Sequence, residues 1–315
     1  MGKALMYASG AFLGAYILSN VIWAWILVRS NPRKELDCVD NVSFGKLEPV
    51  ELTTSDGVQL HAWVQWSHRT TRFRYVLLLH GYRSDRNVLH LRRRFYVRRG
   101  YHVMLLHFRG HGSSESAHIS YGFNERKDIR AAIDFIRMMH KHQNVEIGID
   151  GVSMGAAAAA FAIAYEGVDP DWIVLESCYD DIKRALANRL ETHFPVPFVP
   201  FIARPLEFVG QHVFRLPIND LNPALALKQI HCPVLVLAGD SEKVLKVEEV
   251  EQLFLNIPDP KRLVFFPGAG HEDLLANNPR KFIKEVNAFL KEFSSPQNAD
   301  PNHPAAHEKI TKQSF

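Results

Sequence analysis

Six short apolar runs recur along the chain, separated by longer polar or helical stretches, and no other feature narrows the fold as far. They are "YVLLLH" (75–80), "HVMLLHF" (102–108), "VEIGIDGV" (145–152), "WIVLES" (172–177), "PVLVLAG" (233–239) and "RLVFFP" (262–267). Each is continuous rather than alternating, the pattern of a strand covered on both faces. Between them lie segments of helical periodicity. "ERKDIRAAIDFIRMMH" (125–140) repeats Ile129, Ile133 and Ile136 on one face. "EEVEQLFLNI" (248–257) and "PRKFIKEVNAFLKEF" (279–293) are also amphipathic, the last opening on a proline. This alternation predicts an α/β fold: a mostly parallel central sheet, right-handed crossovers and helices on both faces. A β-hairpin precedes it, because "VELTTSDGVQLHAWVQWS" (50–67) alternates and turns at Asp56-Gly57.

Ala4–Val28 carries no charged side chain. As a helix it would span roughly 37 Å at ~1.5 Å per residue, enough to cross a hydrocarbon core with some tilt. Trp23 and Trp25 sit near one end, as an interfacial belt requires. The run is too long for a signal peptide and no A-x-A site follows it. The expectation is one transmembrane helix over 4–28, making a single-pass anchor. Arg29, Arg33 and Lys34 follow it and only Lys3 precedes it, which leans toward a cytoplasmic C-terminal domain. A net charge of +3 is too small to argue for a nucleic-acid partner. Cys38, Cys178 and Cys232 form no CxxC pair, and the last two fall at opposite ends of the expected sheet, beyond bridging distance.

Two regions break the rhythm. "RLETHFPVPFVPFIARPLEFVG" (189–210) holds four prolines among aromatics and cannot be regular throughout. It marks a small lid insertion, at about 179–220, between two strands. From Ser294 to Phe315 the chain is polar and proline-containing, the composition of a disordered tail.

"IGIDGVSMGAAAAAFA" (147–162) places Ser153 at the junction of a strand and a strong helix former, between Gly151 and Gly155. A sharp strand-to-helix turn needs small neighbours, and a serine there is exposed as a nucleophile. The matching base lies after the last strand: "FFPGAGHEDLL" (265–275) puts His271 in a glycine-rich loop. The acid belongs in "LVLAGDSEKVL", where Asp240 and Glu242 both qualify by position. Glu242 is preferred, because it stands one bend further out and can reach back to a histidine. Glu176 is a poorer third option. Oxyanion stabilisation requires two backbone amides, for which Met154 and Tyr82 are the candidates. His107 and His111 are four apart, but Arg109-Gly110 between them breaks a helix, so neither metal nor cofactor is expected.

"LHGY", "FRGHGSS", "GVSMG", "AGDSE" and "PGAGHED" stand together in the order and spacing of the α/β-hydrolase superfamily. Over about residues 48–293 the chain most resembles its Bem46/ABHD-type serine hydrolases, including membrane-anchored, YqkD-like bacterial members. The resemblance implies an α/β-hydrolase fold and cleavage of carboxylic esters or thioesters, lipids among them, through a Ser153–His271–acid triad. In that family the acid is usually Asp three residues after the strand-end glycine, which here is Glu242 after Gly239. The usual Asp before "x-R-G-x-G" is His107 here. A competing class is a catalytically silent hydrolase fold serving as a membrane-bound binding or scaffold module. "YRSDRNVLHLRRRFYVRRG" (82–100) carries seven arginines and reads either as a solvated helix face or as a basic rim for anionic lipid headgroups.

Overall fold

The computed structural model describes residues 2–31, 47–69, 73–84, 86–141 and 143–294, with only the backbone of 2–10, 13, 86 and 87. Cys38 and the polar tail past Ser294 lie outside the described residues. The strands are β1 (Leu47–Thr53), β2 (Gln59–Gln65), β3 (Arg74–Leu79), β4 (His102–Leu106), β5 (Glu146–Val152), β6 (Trp172–Glu176), β7 (Val234–Gly239) and β8 (Lys261–Phe266). They form one sheet in the order β1-β2-β4-β3-β5-β6-β7-β8. β2 runs antiparallel to both β1 and β4, and every other neighbouring pair is parallel. The expected hairpin and all six apolar runs are therefore strands.

The helices are α1 (Gly2–Val28), α2 (His90–Val97), α3 (Arg126–Met139), α4 (Met154–Glu166), α5 (Ile182–Glu191), α6 (Val199–His212), α7 (Pro223–Ala226), α8 (Val247–Leu255), α9 (Leu274–Asn277) and α10 (Pro279–Phe293). Tyr75, Leu77 and Leu79 of β3 enter one apolar layer, with Ile129 and Ile133 of α3 and the alanines of α4. Val76 and Leu78 enter the other, with Phe95 of α2 and Phe282, Val286 and Phe289 of α10. Two covered faces explain why the central strands read as unbroken apolar runs.

The proline-rich segment 189–210 is more regular toward its end than its prolines suggest. α6 runs through Pro205 for 14 residues. Proline has no N–H, so the carbonyl four residues earlier, that of Phe201, loses its helical donor. The Tyr16 hydroxyl of α1 donates to that carbonyl instead. A distant side chain thus takes up the carbonyl that Pro205 leaves without a helical donor.

α1 is seated on the domain along one stripe. Asn20, Ala24 and Val28, one turn apart, are buried. Phe12, Ile17, Leu18, Ile22, Trp23 and Trp25 on its other sides are exposed. The last carbonyls of a helix lack intrahelical donors. Here Leu27 accepts from the hydroxyls of Tyr82 (2.7 Å) and Tyr121 (3.1 Å), and Ile26 from the Arg83 guanidinium. The expected transmembrane helix is corrected accordingly: part of its surface belongs to the protein. Among the described residues no helix is long and apolar enough to cross a membrane.

Candidate active site

Ser153 stands between β5 and α4 at φ 53°, ψ −113°, a conformation that L-residues rarely adopt. Such backbone costs about 1–3 kcal/mol and persists only where its surroundings hold it. Its amide donates to the Glu176 carbonyl at 2.8 Å, and its carbonyl accepts from Ala157 at 3.1 Å. A Cβ on Gly151 would lie 2.7 Å from the Gly155 carbonyl oxygen, and one on Gly155 would lie 2.6 Å from that of Leu79. Both flanking glycines are thus required by the close passage of β5 and α4 over β3. The five alanines 156–160 are fully buried, so the helix lies tight against the sheet.

His271, in the loop after β8, faces the serine. Its Nε2 is 3.1 Å from Ser153 Oγ, and its Nδ1 is 3.1 Å from Glu242 Oε2. The imidazole is 34% exposed, whereas the Glu242 side chain is fully buried. The other Glu242 oxygen accepts the hydroxyl of Ser177, which follows β6 at φ 48°. Asp240 faces elsewhere: its carboxylate accepts the Gly268 amide at 2.7 Å and the Ser241 hydroxyl at 3.0 Å. It serves the turn. The two loops are docked backbone to backbone, because a Cβ on Gly239 would sit 2.2 Å from the Ala269 carbonyl oxygen. Ser177 was not singled out in the sequence; only its place just past a strand end, one strand from the acid, marks it.

The loop after β3 passes beside the serine. A Cβ on Gly81 would be 3.5 Å from Ser153 Cβ. Tyr82 follows at once, and Met154 opens α4, where an amide has no acceptor within its own helix. The two candidate oxyanion donors therefore flank the nucleophile. His111 Nε2 accepts the Arg83 amide at 3.2 Å, and His107 Nδ1 pairs with Ser113 at 3.1 Å. Both histidines shape the loops around the site. Among the described residues no cluster of three His, Cys, Asp or Glu is arranged for a metal.

Neither reading of the arginine-rich stretch fits its central members. Arg92 and Arg93 of α2 are buried. Arg92 donates to Asp150 of β5 at 2.7 Å, to Glu176 of β6, and to Asp273 near His271 at 3.2 Å. Burial alone would lower the Arg92 pKa, but the three carboxylates outweigh it and hold it well above the ordinary range. Glu176, the third acid candidate, is thus spent on Arg92 beneath the site. Arg92→Met would leave two carboxylates buried without a cation and should cost about 3–5 kcal/mol of stability. Urea unfolding reads that loss; a change under about 1 kcal/mol would remove the network from any account of how the His271 loop is held.

A cavity of about 570 Å³ ends on Ser153 and His271. Ala24, Leu27 and Val28 of α1 line it, together with Ile182 and Leu186 of α5 and Leu206 of α6.

Comparisons with known proteins agree with this architecture. The chain is 23% identical over 305 residues to YqkD, an uncharacterized protein of Bacillus subtilis (strain 168), covering 91% of this chain and 97% of that one. It is 24% identical over 258 residues to the α/β-hydrolase domain-containing protein WAV2 of Arabidopsis thaliana, covering 78% and 79% of the two chains. The solved structure of the Pyrococcus furiosus esterase Pf2001 superposes with a TM-score of 0.69 at 24% identity, covering 85% of this chain and 99% of that one. An esterase from Exiguobacterium antarcticum gives 0.57 at 17% identity, covering 78% and 100%. The sequence model of the alpha/beta hydrolase family matches residues 76–285, two thirds of the chain. With its eight-stranded sheet and the serine at the strand-to-helix turn, the protein belongs to the α/β-hydrolase family.

Proposed function

We propose that the protein is a serine hydrolase that cleaves carboxylic esters or thioesters, lipid ones among them, through an acyl-enzyme on Ser153. The observation that carries this reading is the His271 imidazole spanning Ser153 Oγ and Glu242 Oε2 at 3.1 Å each, at the end of an apolar cavity. Ser153 Oγ attacks the substrate carbonyl carbon while His271 Nε2 takes its proton. Glu242, held by Ser177, fixes the imidazole with Nδ1–H toward the carboxylate and stabilises the imidazolium that forms. The negative charge gathering on the carbonyl oxygen meets the amides of Tyr82 and Met154, donors already in place before the reaction. His271 returns the proton to the departing alcohol or thiol. Water, deprotonated by the same imidazole, then hydrolyses the acyl-enzyme.

The esterases among the structural relatives are in keeping with ester chemistry. Attachment to a membrane is part of the proposal. The exposed sides of α1 carry Phe12, Leu18 and Trp23, and the lid exposes Phe198, Phe201 and Phe208. The Tyr16–Phe201 hydrogen bond sets these two apolar surfaces side by side. Together they form a patch of the kind that meets lipid.

A fluorophosphonate probe tests the hydrolase reading directly. It should label the wild type and leave Ser153→Ala unlabelled. A wild type that resists the probe would favour the silent scaffold.

A further inference from the structure

The wall that α1 gives the cavity is unusual for a segment that reads as an anchor. Ala24, Leu27 and Val28 line the space in front of Ser153, and Ala24 packs with Leu206 and Val209 of the lid in an apolar cluster of their own. Ile182 and Leu186 of α5 and Leu206 of α6 line the same space. At about 570 Å³ the cavity falls within the range of roughly 300–1,000 Å³ common for small-molecule sites, far more than an acetyl group fills.

Two parts of an ester could occupy this space, and the geometry distinguishes them. The imidazole that hands a proton to the leaving group is 34% exposed, so the alcohol has a path to solvent past His271. The acyl group stays bonded to Ser153 through both half-reactions, beside the cavity that α1 and α6 line. From this arrangement we infer that α1 is part of the substrate site. The cavity takes the acyl chain of a long-chain ester or thioester, and Ala24 and Leu27 set the chain length that fits. The inference rests on the hydrolase reading of Ser153.

The test uses the full chain in phosphatidylcholine vesicles with p-nitrophenyl acetate, dodecanoate and hexadecanoate, which share one leaving group. Ala24 is small and buried, and Phe in its place pushes into the cavity. Ala24→Phe should lower the dodecanoate-to-acetate ratio of kcat/KM by about tenfold or more, since even one methylene in an apolar pocket carries that discrimination. Leu27→Ala enlarges the same wall and should shift preference the other way, raising hexadecanoate relative to dodecanoate. Met138→Leu, exposed on α3 and outside the cavity lining, should keep the wild-type ratios. General damage to α1 would move Ala24→Phe and Leu27→Ala in the same direction; only a wall separates them. If both variants keep wild-type ratios, or both move alike, while the probe still labels Ser153, the acyl wall is overturned and the hydrolase reading stands. A wild type with neither turnover nor labelling overturns both.

Discussion

Ser153→Ala is expected to lower kcat for ester hydrolysis by about 10⁶, the scale on which loss of a triad nucleophile registers. Alanine meets the same backbone demand at φ 53° and removes only Oγ, so the melting temperature should barely move. His271→Ala should cost a similar factor, because without a base the hydroxyl remains a poor nucleophile. The double variant should be no slower than the worse single one, since the members of a triad act as a unit. Effects that multiply would mean that the serine and the histidine work independently, and the 3.1 Å contact between them would need another explanation.

The second large effect concerns the acid. Glu242→Gln keeps shape and hydrogen-bonding capacity but removes the charge that stabilises the imidazolium and fixes its tautomer. It should lower kcat/KM by about 10⁴. Asp240→Asn should cost little activity, because that carboxylate holds the Gly268 amide and not the imidazole. Glu176→Gln disturbs the Arg92 network and should register mainly in stability. The three variants are compared by kcat/KM alongside thermal melts. If Asp240→Asn is the crippled enzyme while Glu242→Gln works, the acid has been assigned two residues too far along the chain.

The sheet was legible because burial on both faces leaves a mark that needs no tertiary knowledge: β3 to β7 cannot tolerate regular polar interruption. The sharp strand-to-helix turn at Ser153 was legible for a similar reason. Gly151 and Gly155 are dictated by backbone contacts, and such contacts admit few other residues. The regular helix in the lid was not legible. Pro205 is a valid local argument against it, and the compensation comes from Tyr16, 185 positions before the Phe201 carbonyl it serves. Charge misled in the same way. Composition cannot tell an arginine turned to water from one turned inward, and Arg92 meets its carboxylates only after β5, β6 and the His271 loop converge. Glu242 could be preferred over Asp240 by reach alone, but Ser177, which holds it, becomes a neighbour only when β6 and β7 pair.

The carbonyls that end α1 bear on how this protein is to be handled at the bench. Apolar N-terminal segments are often clipped to gain solubility, and a chain starting after Ser30 would look like a sensible choice. That cut would strip the hydroxyls of Tyr82 and Tyr121 and the Arg83 guanidinium of their acceptors, in the very loop that supplies the Tyr82 amide. It would also remove the α1 residues that line the cavity beside Ser153. A clipped protein that dissolves well and hydrolyses nothing would therefore report the loss of its N-terminal helix, with Ser153, His271 and Glu242 still in place.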